Sequence, residues 1–132
     1  SIGLYNSKSK NLRLACRRLV EVYGSVLPSD MDELLTLAGV GRKVANLIRG
    51  DLFGLGGIVA DTHCIRICGR LGFVESKNPI VVERTMDALI PKEAQSDFCH
   101  RIVLFGREIC NAKKPLCERC FLKEYCCYIK SS

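Results

Sequence analysis

The sequence has no tryptophan, two histidines and four prolines, and aromatic residues make up 7% of its 132 positions. Aliphatic side chains must therefore supply the interior, and a chain this short builds one modest core with at most a small appendage. No apolar run approaches the roughly 20 residues needed for a membrane-crossing helix. The chain opens without a hydrophobic signal region, shows no alternating pattern of strand type and has no internal repeat. It also lacks an initial methionine: Ser1 already leads toward a helix, and the chain reads as a fragment or a processed form.

Cysteine is the exception to this sparseness, with nine residues. Such a count suits a disulfide scaffold in a secreted, loop-rich chain, but helical periodicity dominates here, which favours a reducing compartment with metal-bound thiolates. Lysine and arginine number 20 against 14 aspartates and glutamates, a net charge of +6. That balance fits a polyanionic partner such as DNA or RNA.

The pattern predicts an all-α fold. From Ser7 the residues Leu12, Ala15, Cys16, Leu19, Val20 and Tyr23 follow the spacing of one buried helical face, which leaves Arg13, Arg17 and Arg18 toward solvent until Gly24 ends the helix. Pro28 and Ser29 open a second helix, with Ser29 and Asp32 as a capping box, and it stops at "AGVG". A third runs from about Arg42 to Phe53, and a glycine-rich loop follows. Asp61 or Thr62 caps a helix to Leu71, Asn78 and Pro79 start one to Ile90, and the last spans about Ser96 to Ile109.

Cys110, Cys117, Cys120 and Cys126 form C-x6-C-x2-C-x5-C. Four thiolates in so short a loop can surround one metal centre, and spacing alone leaves both an iron–sulfur cluster and zinc open. The other cysteines, Cys16, Cys64, Cys68 and Cys99, read as small core residues.

"LAGVGRK" places Gly39-Val40-Gly41 between two short helices, where exposed backbone N–H groups suit a phosphate oxygen. A plain helix connector has the same appearance. Lys43 sits in the first turn of the following helix, where the dipole and neighbouring Arg42 disfavour positive charge and so favour the neutral amine of a nucleophile. An isolated lysine at such a place is ordinarily a solvated surface residue. Asp61 reads equally as an N-cap.

With "GLYNSK", "LAGVGRKVAN", "VADTH" and "HRIVLFGREIC", the four cysteines make the whole chain resemble the endonuclease III family of helix-hairpin-helix DNA repair glycosylases. That resemblance implies a partial helical barrel in residues 1–92, with the hairpin at about 30–53, and a helix and [4Fe-4S] cluster loop in residues 93–132. It implies Cys110, Cys117, Cys120 and Cys126 as cluster ligands with Cys127 left over, and DNA contacts from Gly39, Val40, Gly41 and Arg42. Leu4 resembles the family leucine that enters the duplex, although packing ahead of its helix is an equal reading. Held by the cluster, the loop between Cys110 and Cys117 presents Lys113 and Lys114 to phosphates.

The implied activity is excision of oxidised pyrimidines from double-stranded DNA and strand cleavage at abasic sites. Lys43 is the implied Schiff-base nucleophile and Asp61 the essential carboxylate, while His63 and His100 read as hydrogen-bonding structural residues. A monofunctional adenine glycosylase typically lacks the lysine, so Lys43 speaks against that relative. The resemblance also implies a monomer in the bacterial cytosol, without a membrane partner. Many family members have proline where Ala38 stands, and the family carries further N-terminal helices with a second wedge residue. Without those helices the expected alternative is a catalytically weak or inactive DNA-binding, cluster-bearing fragment.

Overall fold

The computed structural model describes the backbone of residues 2–132, and side chains from Leu4 onward; Ser1 lies outside the described residues. Among the described residues seven α-helices follow one another: α1 (Ile2–Tyr23), α2 (Met31–Leu34), α3 (Arg42–Phe53), α4 (Thr62–Leu71), α5 (Pro79–Leu89), α6 (Lys92–Glu108) and α7 (Cys127–Lys130). Among the described residues there is no strand, as the missing alternation predicts.

The first three helices share a small core of Leu34, Leu37 and Ala45, against which Ala15, Leu19, Tyr23, Val40 and Ile48 pack. α1 starts at Ile2, ahead of the predicted Ser7, and ends where Gly24 and Ser25 adopt φ of 59° and 65°. Its half-buried row is Asn11, Ala15, Leu19 and Tyr23, while Leu12, Cys16 and Val20 are exposed. This corrects the predicted face: α1 meets a single packing layer, so one ridge of residues four apart is covered and the adjacent ridge is not. Cys16 is accordingly no core residue. Arg18 is also not free toward solvent, since its Nε donates to Thr36 Oγ1 at 3.0 Å.

Asp30, not Ser29, caps α2, its carboxylate accepting from the Glu33 N–H at 3.1 Å. The Ser29 carbonyl is engaged by Arg49 Nε at 3.1 Å, which holds Ser29 ahead of the helix. α3 has its predicted bounds. Asp61 caps α4 and Asn78 caps α5 through their side chains, and Gly72 closes α4 in the left-handed region.

α6 begins at Lys92, four residues before the predicted start. Pro91 opens the helix as well as breaking the one before it, because its fixed φ suits a helix entrance. The added turn carries Gln95 into the interior, where it is fully buried.

The second core joins α4, α5 and α6 through Ile58, Ile67, Val82, Met86 and Ile102, with Cys64, Cys68 and Cys99 among them. Fully burying an aliphatic side chain such as Ile67 contributes about 1.5–3 kcal/mol. The neighbouring Cys68 thiol and burial push the Cys64 thiol up, and burial does the same to Cys99. These three act as small apolar residues, as predicted. α4 and α6 approach closely at Gly106, where a Cβ atom would stand 2.5 Å from His63 Nδ1 and 2.9 Å from Arg66 Nη2.

Candidate active site and cysteine-lined cavity

The turn before α3 follows from its two glycines. Gly39 has φ of 80°, which a side chain rarely tolerates, and its position abuts Asn11 of α1. Gly41 is exposed, and a Cβ atom there would meet nothing within 4 Å. The Val40 side chain turns inward to the first core. α2, α4 and α5 each receive a capping side chain, whereas Gly41 at the start of α3 has none to offer. The first N–H groups of α3 are thus left for water or a ligand, at the end where the helix dipole favours an anion.

Lys43 lies exposed in the first turn of α3. Beside it Arg42 is committed within the protein: its Nε lies 2.9 and 2.7 Å from the two Glu83 carboxylate oxygens. That pairing ties the start of α3 to α5 and occupies one edge of the guanidinium.

One turn further along α3, Asn46 is buried and donates its Nδ2–H to the Ile58 carbonyl at 3.0 Å. Gln95 of α6 accepts the Gly57 N–H at 2.7 Å, and the Val59 N–H points to Cys99 Sγ at 3.3 Å. Gln95 is itself held by the Ile90 carbonyl at 2.8 Å and the Asp87 carboxylate at 3.0 Å. The glycine-rich loop is therefore clamped between α3 and α6 just before Asp61. Gly57 has φ of 131° and runs so near Asn46 that a Cβ atom would sit 2.9 Å from its carbonyl oxygen. Sequence reasoning missed this clamp; its one signal was an amide side chain on each helix at a position due to face the core.

Asp61 is half-buried, and its Oδ1 accepts the Cys64 N–H at 2.8 Å. The cap uses one carboxylate oxygen and leaves Oδ2 for other work. His63 Nδ1 lies 3.1 Å from Arg66 Nη2, and His100 Nε2 lies 3.0 Å from each Asp51 oxygen. Both histidines are hydrogen-bonded, as predicted.

The chain after α6 is irregular apart from a 3-10 turn at Cys117–Arg119 and the short α7. It folds back because the Leu116 N–H donates to the Ile109 carbonyl at 2.8 Å. Cys110, Cys117, Cys120 and Cys126 line one pocket, walled by apolar side chains including Leu71, Phe105 and Ile109. Cys127 stands outside it, exposed, with its side chain against Gly72. A single zinc ion would draw its sulfurs to about 2.3 Å from one centre. Among the described residues no three acidic, histidine or cysteine side chains converge closely enough for one ion. Four cysteine thiols lining one pocket are a donor set that an iron–sulfur cluster takes.

Arg66 and Arg70 of α4 anchor this loop, a role that sequence reasoning missed. Arg66 donates to the Cys110 carbonyl at 3.0 Å and the Gly106 carbonyl at 3.3 Å. Arg70 donates to the Asn111 carbonyl at 2.9 Å and the Ala112 carbonyl at 3.0 Å. Lys113 and Lys114, next in the chain, are exposed. Leu4, on α1, is 63% exposed, so it does not pack ahead of its helix.

Residues 1–92 match the family model of HhH-GPD superfamily base excision DNA repair proteins. Residues 110–126 match the iron–sulfur binding domain of endonuclease III. The chain is 42% identical over 131 residues to endonuclease III of Rickettsia felis, covering 99% of this chain and 62% of that one. It is 41% identical over 128 residues to endonuclease III of Escherichia coli strain K12, covering 97% and 61%. A solved structure of a trapped endonuclease III–DNA covalent intermediate superposes with a TM-score of 0.90 at 41% identity, over 98% of this chain and 62% of that one. A thermostable thymine-DNA glycosylase gives a TM-score of 0.89 at 25% identity, over 99% and 62%. The chain thus spans about three fifths of the relatives it matches, and the cofactor it is built for is an iron–sulfur cluster.

Proposed function

The chain belongs to the HhH-GPD superfamily of base excision DNA repair proteins, and on that premise we propose that it excises oxidised pyrimidines from duplex DNA and cleaves the resulting abasic site. Lys43 is the nucleophile in this reading. Its neutral amine attacks C1′ of the damaged nucleotide, the new N–C1′ bond replacing the glycosidic bond, and the base leaves with its electron pair and takes up a proton. The sugar ring opens to a protonated Schiff base, loss of the C2′ proton follows, and β-elimination expels the 3′ phosphate. Asp61 Oδ2 offsets the positive charge that develops on the sugar and assists these proton transfers, while Oδ1 keeps its cap.

The clamp from Asn46 to Ile58 is the observation that carries this reading. It fixes the Asp61-bearing loop to the helix that presents Lys43, and preorganisation of that kind is what a shared site requires. Residues 1–92 supply the hairpin and the catalytic pair. The uncapped start of α3 at Gly39, Val40 and Gly41 receives a backbone phosphate, with Arg42 beside it, and Leu4 enters the duplex where the base has left. Residues 93–132 bring the cluster loop. Cys110, Cys117, Cys120 and Cys126 hold the [4Fe-4S] centre as thiolates, and that centre supplies a covalent staple for the loop. Lys113 and Lys114 then meet phosphates.

A second reading has a specific observation behind it: Leu4, Tyr5, Leu12 and Val20 stand exposed along α1. A DNA-binding, cluster-bearing chain with weak or no catalysis accommodates that surface. Borohydride trapping on a duplex with an abasic site separates the two. The expected result is a covalent adduct with the unmodified chain and none with Lys43→Ala. Binding without an adduct supports the second reading, and an adduct that survives Lys43→Ala overturns the role of Lys43.

A further inference from the structure

We infer that Arg70 is a positioning residue for the iron–sulfur centre, its guanidinium hydrogen-bonding the sulfur of Cys110 and thereby raising the electron affinity of the centre which that sulfur ligates. The inference rests on the reading of Cys110 as a ligand. Arg70 Nη1 lies 3.3 Å from Cys110 Sγ and 2.9 Å from the Asn111 carbonyl, while Nη2 reaches the Ala112 carbonyl at 3.0 Å. The guanidinium carbon stands 4.7 Å from the centre of the Tyr128 ring, a cation–π contact that helps hold the group. The backbone carbonyl oxygen of Arg70 lies 3.6 Å from Cys126 Sγ. One residue therefore touches two of the four cysteines, and its side chain lines the cavity between them.

Two features distinguish this arginine from a surface charge. The acceptors of its side chain are carbonyl oxygens and a sulfur, and among the described residues no ion pair neutralises it. Its guanidinium therefore lines the cavity without a direct carboxylate partner among the described residues. Arginine is also suited to the task in a way lysine is not, since a planar fork reaches the sulfur and two successive carbonyls at once.

The physical effect has a definite sign. Adding one electron makes the ligating sulfurs more negative, and an N–H donor with a nearby cation stabilises the more negative state better. Arg70 thus shifts the midpoint potential upward. Arg66 offers a contrast within the same helix: it donates to the carbonyls of Cys110 and Gly106 and does not reach the sulfur.

The test uses the cluster-loaded protein and one-electron titration at an electrode. Arg70→Gln, which removes the charge, is expected to move the midpoint to a more negative potential at unchanged iron content. Arg70→Lys, which keeps the charge but loses the fork, is expected to move it less. A residue that merely braced the loop would change iron retention and leave the midpoint in place; an unmoved midpoint in both loaded variants overturns the inference. Should the variants fail to load, the unmodified protein carrying 15N only in its arginine guanidinium groups decides the matter. In the paramagnetic state, pulsed electron resonance is expected to detect a 15N coupling transmitted through the N–H···S contact, and its absence counts against Arg70. Iron analysis keeps the two readings apart: an unmodified chain that binds no iron defeats the ligand assignment itself, and the Arg70 inference with it.

Discussion

Asn46 Nδ2 donates to the Ile58 carbonyl at 3.0 Å, and this buried hydrogen bond ties α3, one turn beyond Lys43, to the loop that reaches Asp61 three residues later. Asn46→Ala removes the donor and leaves the Ile58 carbonyl buried without a partner, which costs about 1–3 kcal/mol. The loop also loses its register on α3. Chemical denaturation is expected to show the lower stability, and the rate of borohydride-trapped adduct formation is expected to fall even at temperatures where the variant is fully folded. A folded variant trapping at the unmodified rate removes the clamp from the catalytic argument.

Asp61 has an observed capping role and a proposed catalytic one, and substitution can pull the two apart. Asparagine is as good an N-cap as aspartate, so Asp61→Asn is expected to retain the Cys64 N–H hydrogen bond and nearly all the stability. Its charge is gone, and strand cleavage is expected to drop by orders of magnitude. Asp61→Ala loses the cap as well, at a further cost of about 0.5–2 kcal/mol. Melting curves set beside cleavage rates for the two variants test the division, and equal activity in Asp61→Asn and the unmodified chain would show that capping is the whole role.

Gly106 lets α4 and α6 approach, since a Cβ atom there would stand 2.5 Å from His63 Nδ1 and 3.0 Å from the end of Ile67. Gly106→Ala must displace His63 and Arg66, and overpacking of this kind costs about 1–3 kcal/mol. The expected outcome is a lowered melting temperature, accompanied by easier loss of iron because Arg66 also braces the Cys110 carbonyl. A variant as stable as the unmodified chain contradicts the packing argument.

Lys113 and Lys114 sit in the loop that Arg70 holds by the carbonyls of Asn111 and Ala112. Replacing both with alanine is expected to weaken DNA binding evenly across sequences. The slope of log affinity against log salt should shrink by about 0.9 for each phosphate that the protein no longer neutralises. Binding titrations at several salt concentrations read this directly, and an unchanged slope places the two lysines away from the phosphates.

Much of this molecule was legible along the chain because the determining interactions are local. Asp61 and Asn78 cap the helices that follow them, Gly24 and Gly72 end helices in the left-handed region, and α3 has its predicted bounds. Those features depend on a few neighbouring residues. The four cysteines are close in sequence, so a short loop brings them to one cavity without help from distant packing. The α1 face was misread by one ridge because periodicity marks apolar positions but does not say how many partner layers will cover them. Ser29 was displaced as a cap by Asp30, with the Ser29 carbonyl engaged by a distant Arg49.

By itself the sequence determined the all-helical class, the bounds of α3, α4 and α5 and the cysteine spacing, all products of short-range geometry. The tertiary structure alone decided that Asn46 and Gln95 clamp the glycine-rich loop, that Arg42 pairs with Glu83 and that Arg70 meets the sulfur of Cys110. Each of those pairings joins residues at least 12 positions apart. Their partners are chosen by which helix faces pack together, and local propensity carries no information about that choice.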